Sequence, residues 1–224
     1  MPYKYELHAH TKEVSQCGKV PASEAVRMYR EKGYNGIVFT DHYSPLTFTG
    51  IRRLMPQKYW KFYISGYENG LKAASKYPDF TVLLGMELRY YGTGNDYLVY
   101  GVWPEFIKNA GNLMALHPKS FYRLAHRNGL IVLQAHPFRP YIYRTNPKYL
   151  DGCEVFNGKN SPEENIKSLQ WFEKSGMKIK VSGSDFHRPP HLAKGGIITD
   201  VPIKTNADLI NVLKSGDYDL IENS

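Results

Sequence analysis

Apolar and polar positions alternate at the start of this chain, at Tyr3, Tyr5 and Leu7, and predict a short strand running into Glu6-Leu-His-Ala-His-Thr11. A polar loop follows to Val20. Pro21-Ala-Ser-Glu24 then opens a helix with Ser23 as the expected cap, an apolar stripe at Ala25, Val26 and Tyr29, and a stop at Lys32-Gly33. Gly36-Ile-Val-Phe-Thr40 is a continuous apolar run, as in a strand buried on both faces, and it ends in Asp41-His42. Strand, helix and strand within some forty residues make a βαβ unit. A loop is expected over 45–56 and one helix over 59–77, despite its glycines. Phe80-Thr-Val-Leu-Leu-Gly85 reads as a buried strand ending in Met86-Glu87, and Tyr97-Leu-Val-Tyr-Gly101 as a short strand preceded by Asp96. The stretch 104–118 has no clear period.

A helix capped by Ser120 is expected to reach Arg127. The strand Leu130-Ile-Val-Leu-Gln-Ala135 follows and ends in His136. Pro137-Phe-Arg-Pro140 is a rigid loop presenting Arg139. Gly152-Cys-Glu-Val-Phe156 is a strand ending in Asn157, and Ser161-Pro-Glu-Glu164 has the cap, proline and acidic first turn of a helix start. Lys178-Ile-Lys-Val-Ser182 leads into Gly183-Ser-Asp-Phe-His187. A last short strand (196–199) and a last helix (206–214) complete an α/β pattern.

Composition narrows the class. The chain has 224 residues, 42% hydrophobic and 22% charged, which is the range of an ordinary folded protein and fits one domain over 1–224. There is no repeat, low-complexity stretch, apolar leader or membrane-length apolar run. Two cysteines cannot frame a disulfide scaffold, so a cytoplasmic location is expected. The net charge of +8 favours anionic partners such as phosphate esters, nucleotides or nucleic acid, and 18 tyrosines offer half-buried phenols. No dense basic run singles out nucleic acid.

Candidate chemistry lies where strands give way to loops. His8 and His10 stand two apart, so on a strand they project together. Asp41/His42, Glu87, His136 and Asp185/His187 occupy further strand ends. In parallel α/β folds these ends form one rim, where active sites lie. A satisfied core histidine explains any one of these positions; it explains poorly the same pattern at five strand ends. His117, His126 and His191 follow no buried strand and are read as surface or supporting residues. Imidazoles with carboxylates suit Zn, Mn or Fe, and this number of ligands suits two or three ions bridged by a carboxylate such as Glu87. Such a site activates water and clamps a displacement at phosphorus. Arg139 is placed to hold a phosphate in its guanidinium fork.

The ordered string Leu7-His-Ala-His-Thr11, Thr40-Asp-His42, Gly85-Met-Glu87, Ala135-His-Pro137 and Gly183-Ser-Asp-Phe-His187 resembles the polymerase and histidinol phosphatase (PHP) family over nearly the whole chain. The resemblance implies a distorted, TIM-like barrel of about seven strands, a two- or three-metal site, and phosphoester hydrolysis by a metal-bridging hydroxide without a covalent intermediate. It assigns His8, His10, Glu87 and Asp185 to one metal position with Glu87 bridging, His42 and His187 to further ligation, and His136 to a third metal. Two positions depart from the family pattern. The loop after the first motif offers Glu13 and Cys17, of which Cys17 is the candidate ligand. Asp96 stands where the family often has a histidine, and would ligate through oxygen with a preference for harder metals. Glu87, Asp185 and Arg139 are the expected catalytic residues, and Arg139 and Asn157 the expected substrate contacts. The leading expectation is hydrolysis of a small phosphorylated substrate. Its alternatives are a histidinol-phosphate phosphatase, a nucleotide phosphatase or nuclease, and, from another class, a metal-stabilised binding module without activity.

Overall fold

In the computed structural model, which describes residues 2–223, the first strand, β1 (Tyr3–Ala9), is buried along both faces from Tyr5 onward. Its odd-numbered side chains Tyr5 and Leu7 enter the hydrophobic core, and Glu6 and His8 are turned to the other face, where they are equally buried. Helix α1 (Ala22–Glu31) carries the expected apolar stripe, but Ser23 is not its cap. The helix begins after Pro21, and the Glu13 carboxylate accepts the Ala22 N–H at 3.1 Å. Strand β2 (Gly36–Phe39) runs parallel to β1, and β3 (His42–Tyr43) is a two-residue strand after it.

The segment expected as a loop over 45–56 contains a 3₁₀ turn at Gly50–Arg53, and the single helix expected over 59–77 is divided. A 3₁₀ turn at Pro56–Tyr59 leads into α2 (Trp60–Tyr63), and the chain breaks at Ile64 before α3 (Ser65–Ala74). The glycines explain the geometry. A Cβ on Gly66 would lie 2.2 Å from Thr11 Oγ1, and one on Gly70 would lie 2.5 Å from the Phe39 ring, so α3 packs directly on the loop after β1 and on β2.

The run expected as one strand over 80–87 is two. β4 (Thr81–Leu84) pairs with β2, and after Gly85 the chain enters β5 (Met86–Arg89) in a different sheet. Glu87 therefore lies within a strand, opposite His42, and not at a strand end. Next come β6 (Asp96–Tyr100), α4 (Pro104–Asn109) in the stretch without a clear period, α5 (Pro118–Arg127) and β7 (Ile131–Gln134). Ser120 lies inside α5, whose first turn is set by Pro118. Beyond them are β8 (Gly152–Asn157), α6 (Pro162–Ser175), β9 (Ile179–Gly183), β10 (Gly195–Thr199), α7 (Asn206–Ser215) and β11 (Asp219–Glu222). Ser161 and Glu164 form the capping box of α6, and left-handed Gly176 ends it. β11, an edge strand paired only with β10, has no counterpart among the elements expected from the sequence.

The architecture is the expected α/β type, with a definite distortion. One sheet has the order β11-β10-β1-β2-β4 and the other β3-β5-β6-β7-β8-β9. The sets β1-β2-β4 and β7-β8-β9 are parallel; β6 is antiparallel to both neighbours, and β10 is antiparallel to β1. The sheets are tied where β1 ends. Phe186 donates its N–H to the His8 carbonyl at 3.0 Å, and His10 donates to the Phe186 carbonyl at 2.9 Å. This brings the residues after β9 beside those at the end of β1. Among the described residues, no helix is long and apolar enough to cross a membrane.

Candidate metal centre

Glu87 is the hub. Its Oε1 lies 3.3 Å from His8 Nε2 and 3.0 Å from His136 Nε2, and its Oε2 lies 3.3 Å from His10 Nε2 and 2.7 Å from His42 Nδ1. Asp185 Oδ1 closes the other side, 3.7 Å from His8 Nε2, 3.4 Å from His10 Nε2 and 3.1 Å from His187 Nδ1. The seven residues His8, His10, His42, Glu87, His136, Asp185 and His187 are thus brought together, and all but the partly buried His42 are buried. Two of them hold backbone conformations that L-residues rarely adopt, His136 at φ 29° and Asp185 at φ 51°.

Glu6, Ser15 and Glu154, which the sequence did not single out, and the strand-end candidate Asp41 hold the imidazoles in place. Glu154 Oε1 lies 2.8 Å from His8 Nδ1, and its Oε2 accepts the His136 N–H at 2.9 Å. Glu6 Oε1 accepts the backbone N–H groups of Leu7, His8 and Ser184, and its Oε2 accepts the Tyr29 hydroxyl. That carboxylate clamps the His8 backbone to the chain just before Asp185. Asp41 accepts from Thr11 and from the Ser15 hydroxyl at 2.7 Å; Ser15 Oγ in turn lies 3.3 Å from His10 Nδ1. With Ser15 donating to Asp41, His10 Nδ1–H donates to Ser15 and leaves Nε2 free as a ligand. The signal in the sequence was a carboxylate inside an apolar run, at Tyr5-Glu6-Leu7 and Cys153-Glu154-Val155, which burial makes costly unless it is partnered.

Electrostatics follow from this packing. Burial works against charge on Glu87, yet His42 and His8 hold its carboxyl well below the usual range. Asp185 is likewise held low against burial, by His8 and Arg139. Burial and the neighbouring His187 and His42 push His10 well below the ordinary imidazole value. Burial raises Glu6 to about 7 and Asp41 to about 6, with hydrogen bonds to each opposing the rise.

The remaining candidates are placed as follows. Arg139 Nη2 reaches Asp185 Oδ2 at 2.7 Å and Asn157 Oδ1 at 2.6 Å, and its Nε donates to Asn160. Lys159 Nζ is 3.4 Å from the same Asp185 oxygen. The Asn157 amide is engaged inward, accepting from Arg139 and donating to Glu154 and Asp185. Asp96 is held by Arg89, with Nε–Oδ1 at 2.7 Å and Nη2–Oδ2 at 2.5 Å. Cys17 is exposed, with Sγ 3.0 Å from His187 Nε2, and lines a cavity of about 300 Å³ with His42 and Arg89. Glu13 caps α1 and is not in the cluster. His191 Nδ1 accepts the His187 N–H at 3.3 Å, and His126 pairs with Asp151, away from the cluster.

The donor set fits divalent metal. His8 Nε2, His10 Nε2 and Glu87 Oε2 are buried without a hydrogen-bond partner, even though each lies 2.7–3.7 Å from a group of the cluster. Unpartnered buried polar atoms are costly, and a shared cation satisfies them together. His8/His10/Glu87, His8/His136/Asp185 and His10/His42/His187 each present ligand atoms within 4.8 Å of one another.

No family model matches the chain, and no curated protein matches it in sequence. Solved structures do match in fold. PsfC of Pseudomonas syringae superimposes with a TM-score of 0.71 at 14% identity, over 100% of this chain and 92% of that one. A two-domain protein of Bacteroides vulgatus containing a predicted PHP-like metal-dependent phosphoesterase gives 0.67 at 16% identity, over 100% of this chain and 65% of that one. PfuEndoQ, a lesion-specific endonuclease of Pyrococcus furiosus, gives 0.61 at 17% identity, over 98% of this chain and 58% of that one. The chain therefore spans less than two thirds of the latter two proteins. Its fold is similar to that of these proteins, among them one with a predicted PHP-like metal-dependent phosphoesterase.

Proposed function

We propose that this protein is a metal-dependent phosphoesterase acting on a small phosphorylated substrate, with His8, His10, His42, Glu87, His136, Asp185 and His187 holding two or three ions of Zn, Mn or Fe. The observation that carries this reading is the set of buried, unpartnered ligand atoms around Glu87. When bound, divalent ions supply Lewis acidity toward phosphoryl oxygens and acidify water. The chain's own part is to hold that charge rigidly. Glu87 reaches four imidazoles at once, Glu154 and Ser15 set the tautomers of His8 and His10, and burial keeps solvent from competing. Arg139, fixed by Asn157, Asn160 and Asp185, orients the anionic ester through its remaining Nη1. The free thiols of Cys17 and Cys153 suit a cytoplasmic setting. A nucleic-acid substrate is the second reading, favoured by the net charge of +8 and by the likeness in fold to an endonuclease.

The test is metal content of the purified protein, with aryl phosphate hydrolysis measured before chelation, after it, and after Mn or Zn is restored. Bound transition metal with chelator-sensitive, metal-rescued turnover that Glu87→Ala abolishes is the expected result. A protein without metal and without rescued turnover is a binding module or something else, and the proposal falls.

A further inference from the structure

We infer that Arg89, and not a metal ion, is the cation that Asp96 holds in this site, and that Arg89 receives the phosphoryl group of a phosphate monoester. The inference rests on the phosphoesterase reading above. Asp96 is buried, at 2% exposure, and its carboxylate lies within 4.8 Å of ligand atoms of His42 and Glu87. By composition that trio is a candidate metal group. Its occupant is already present: Arg89 stands directly opposite Asp96 in the β5–β6 register and grips both carboxylate oxygens, at 2.7 and 2.5 Å. A carboxylate held in a guanidinium fork is neutralised, and a divalent ion on the same group would be pressed against a fixed positive charge.

Arg89 also faces the substrate space. Its side chain is 30% exposed and lines the 300 Å³ cavity together with His42, Ser44, Thr47 and Cys17. His42 belongs to both cavity and cluster, so the cavity opens on the metal ligands. Nε and Nη2 are committed to Asp96, while Nη1 has no hydrogen-bond partner among the described residues. A planar donor locked by a buried carboxylate and offering one free edge suits a dianionic phosphoryl group, and the cavity has room for a small alcohol moiety.

The full-length chain, reconstituted with Mn, would be compared with Asp96→Asn, Arg89→Met and the double variant that removes both charges. Two readouts that need no turnover are the ions retained per chain, by elemental analysis, and inorganic phosphate affinity, by calorimetry. All variants are expected to keep the wild-type ion count. Arg89→Met and the double variant are expected to bind phosphate roughly 10- to 100-fold more weakly, the range for a lost charge-assisted hydrogen bond. If Arg89→Met fails to fold because Asp96 is left uncompensated, the double variant decides. Loss of one ion per chain in Asp96→Asn, or wild-type phosphate affinity without Arg89, overturns the inference and leaves the phosphoesterase reading standing. Absence of metal-dependent hydrolysis in the wild type would instead sink that reading.

Discussion

Glu154 and His8, 146 residues apart in the chain, meet at 2.8 Å between Oε1 and Nδ1, with both side chains wholly buried. The carboxylate can only accept, so Nδ1 carries a proton, and Nε2, aimed at Glu87 and Asp185, is the atom left for a metal to take. The other Glu154 oxygen is taken by the His136 N–H and the Asn157 amide. In Glu154→Gln the single carbonyl oxygen is claimed by those two donors. The new NH2 then faces His8 Nδ1, forces the opposite tautomer and protonates Nε2. Metal affinity is expected to fall roughly 10- to 100-fold, as for the loss of a group that orients a ligating histidine, with the fold retained. Competition titration with a chromophoric chelator measures it; wild-type affinity in this variant would show that Glu154 does not set the tautomer.

Gly183 is where β9 passes His8. A Cβ there would lie 2.4 Å from His8 Cβ and 2.7 Å from Glu154 Oε1, and neither neighbour can retreat without leaving the cluster. Gly183→Ala is expected to cost about 1–3 kcal/mol of stability through overpacking and to weaken metal binding at the same time. Gly176→Ala is the contrast. It sits in open space at φ 76°, so it is expected to cost about 1 kcal/mol through backbone strain and to leave metal affinity unchanged. Thermal unfolding and metal titration on the two variants separate a local clash from general destabilisation.

The imidazoles make the stability of the chelated protein depend on pH. Burial opposes protonation of His8 and His42, but Glu154, Asp185 and Glu87 around the first and Glu87 beside the second raise both well above the ordinary value of 6.5. His187, also against burial, is raised to about 9 by Asp185 and Cys17. A group whose folded pKa exceeds its unfolded one stabilises fully below the unfolded value and loses that contribution as pH rises through the folded value. Cys17 works in the opposite sense. Against partial desolvation, His187 and His42 lower its thiol from 9.0 to about 6, so its contribution grows with pH between those values. Three imidazoles outweigh one thiol. The Tm of chelated protein should fall between pH 6.5 and 9 by at least about 3 °C, the shift that about 1 kcal/mol produces in a chain of this size. Saturating metal should reverse it, because metal competes with protons for the same nitrogens. A Tm of the chelated protein that rises over this range would show that the cluster does not hold those protons.

The sequence by itself determined the kinds of element and the ligand types. Period-two and continuous apolar runs reveal strands because the tendency to be buried is a local property of residue type. Seven ligand-type residues were legible for the same reason, since each follows or lies within an apolar run. Tertiary structure alone decided what those residues face. The break at Gly85, which carries Glu87 into a second sheet opposite His42, depends on strand pairing between distant segments. The close approach of Gly66 to Thr11 and of Gly70 to Phe39 depends on how α3 packs against distant segments. The partners of Glu6 and Glu154 are backbone donors and imidazoles that distant strands bring to them. That Arg89 stands across from Asp96 and grips its carboxylate is likewise decided by the β5–β6 register. Local pattern specifies which groups must be buried; only the pairing of distant strands supplies the partners that make burying them tolerable.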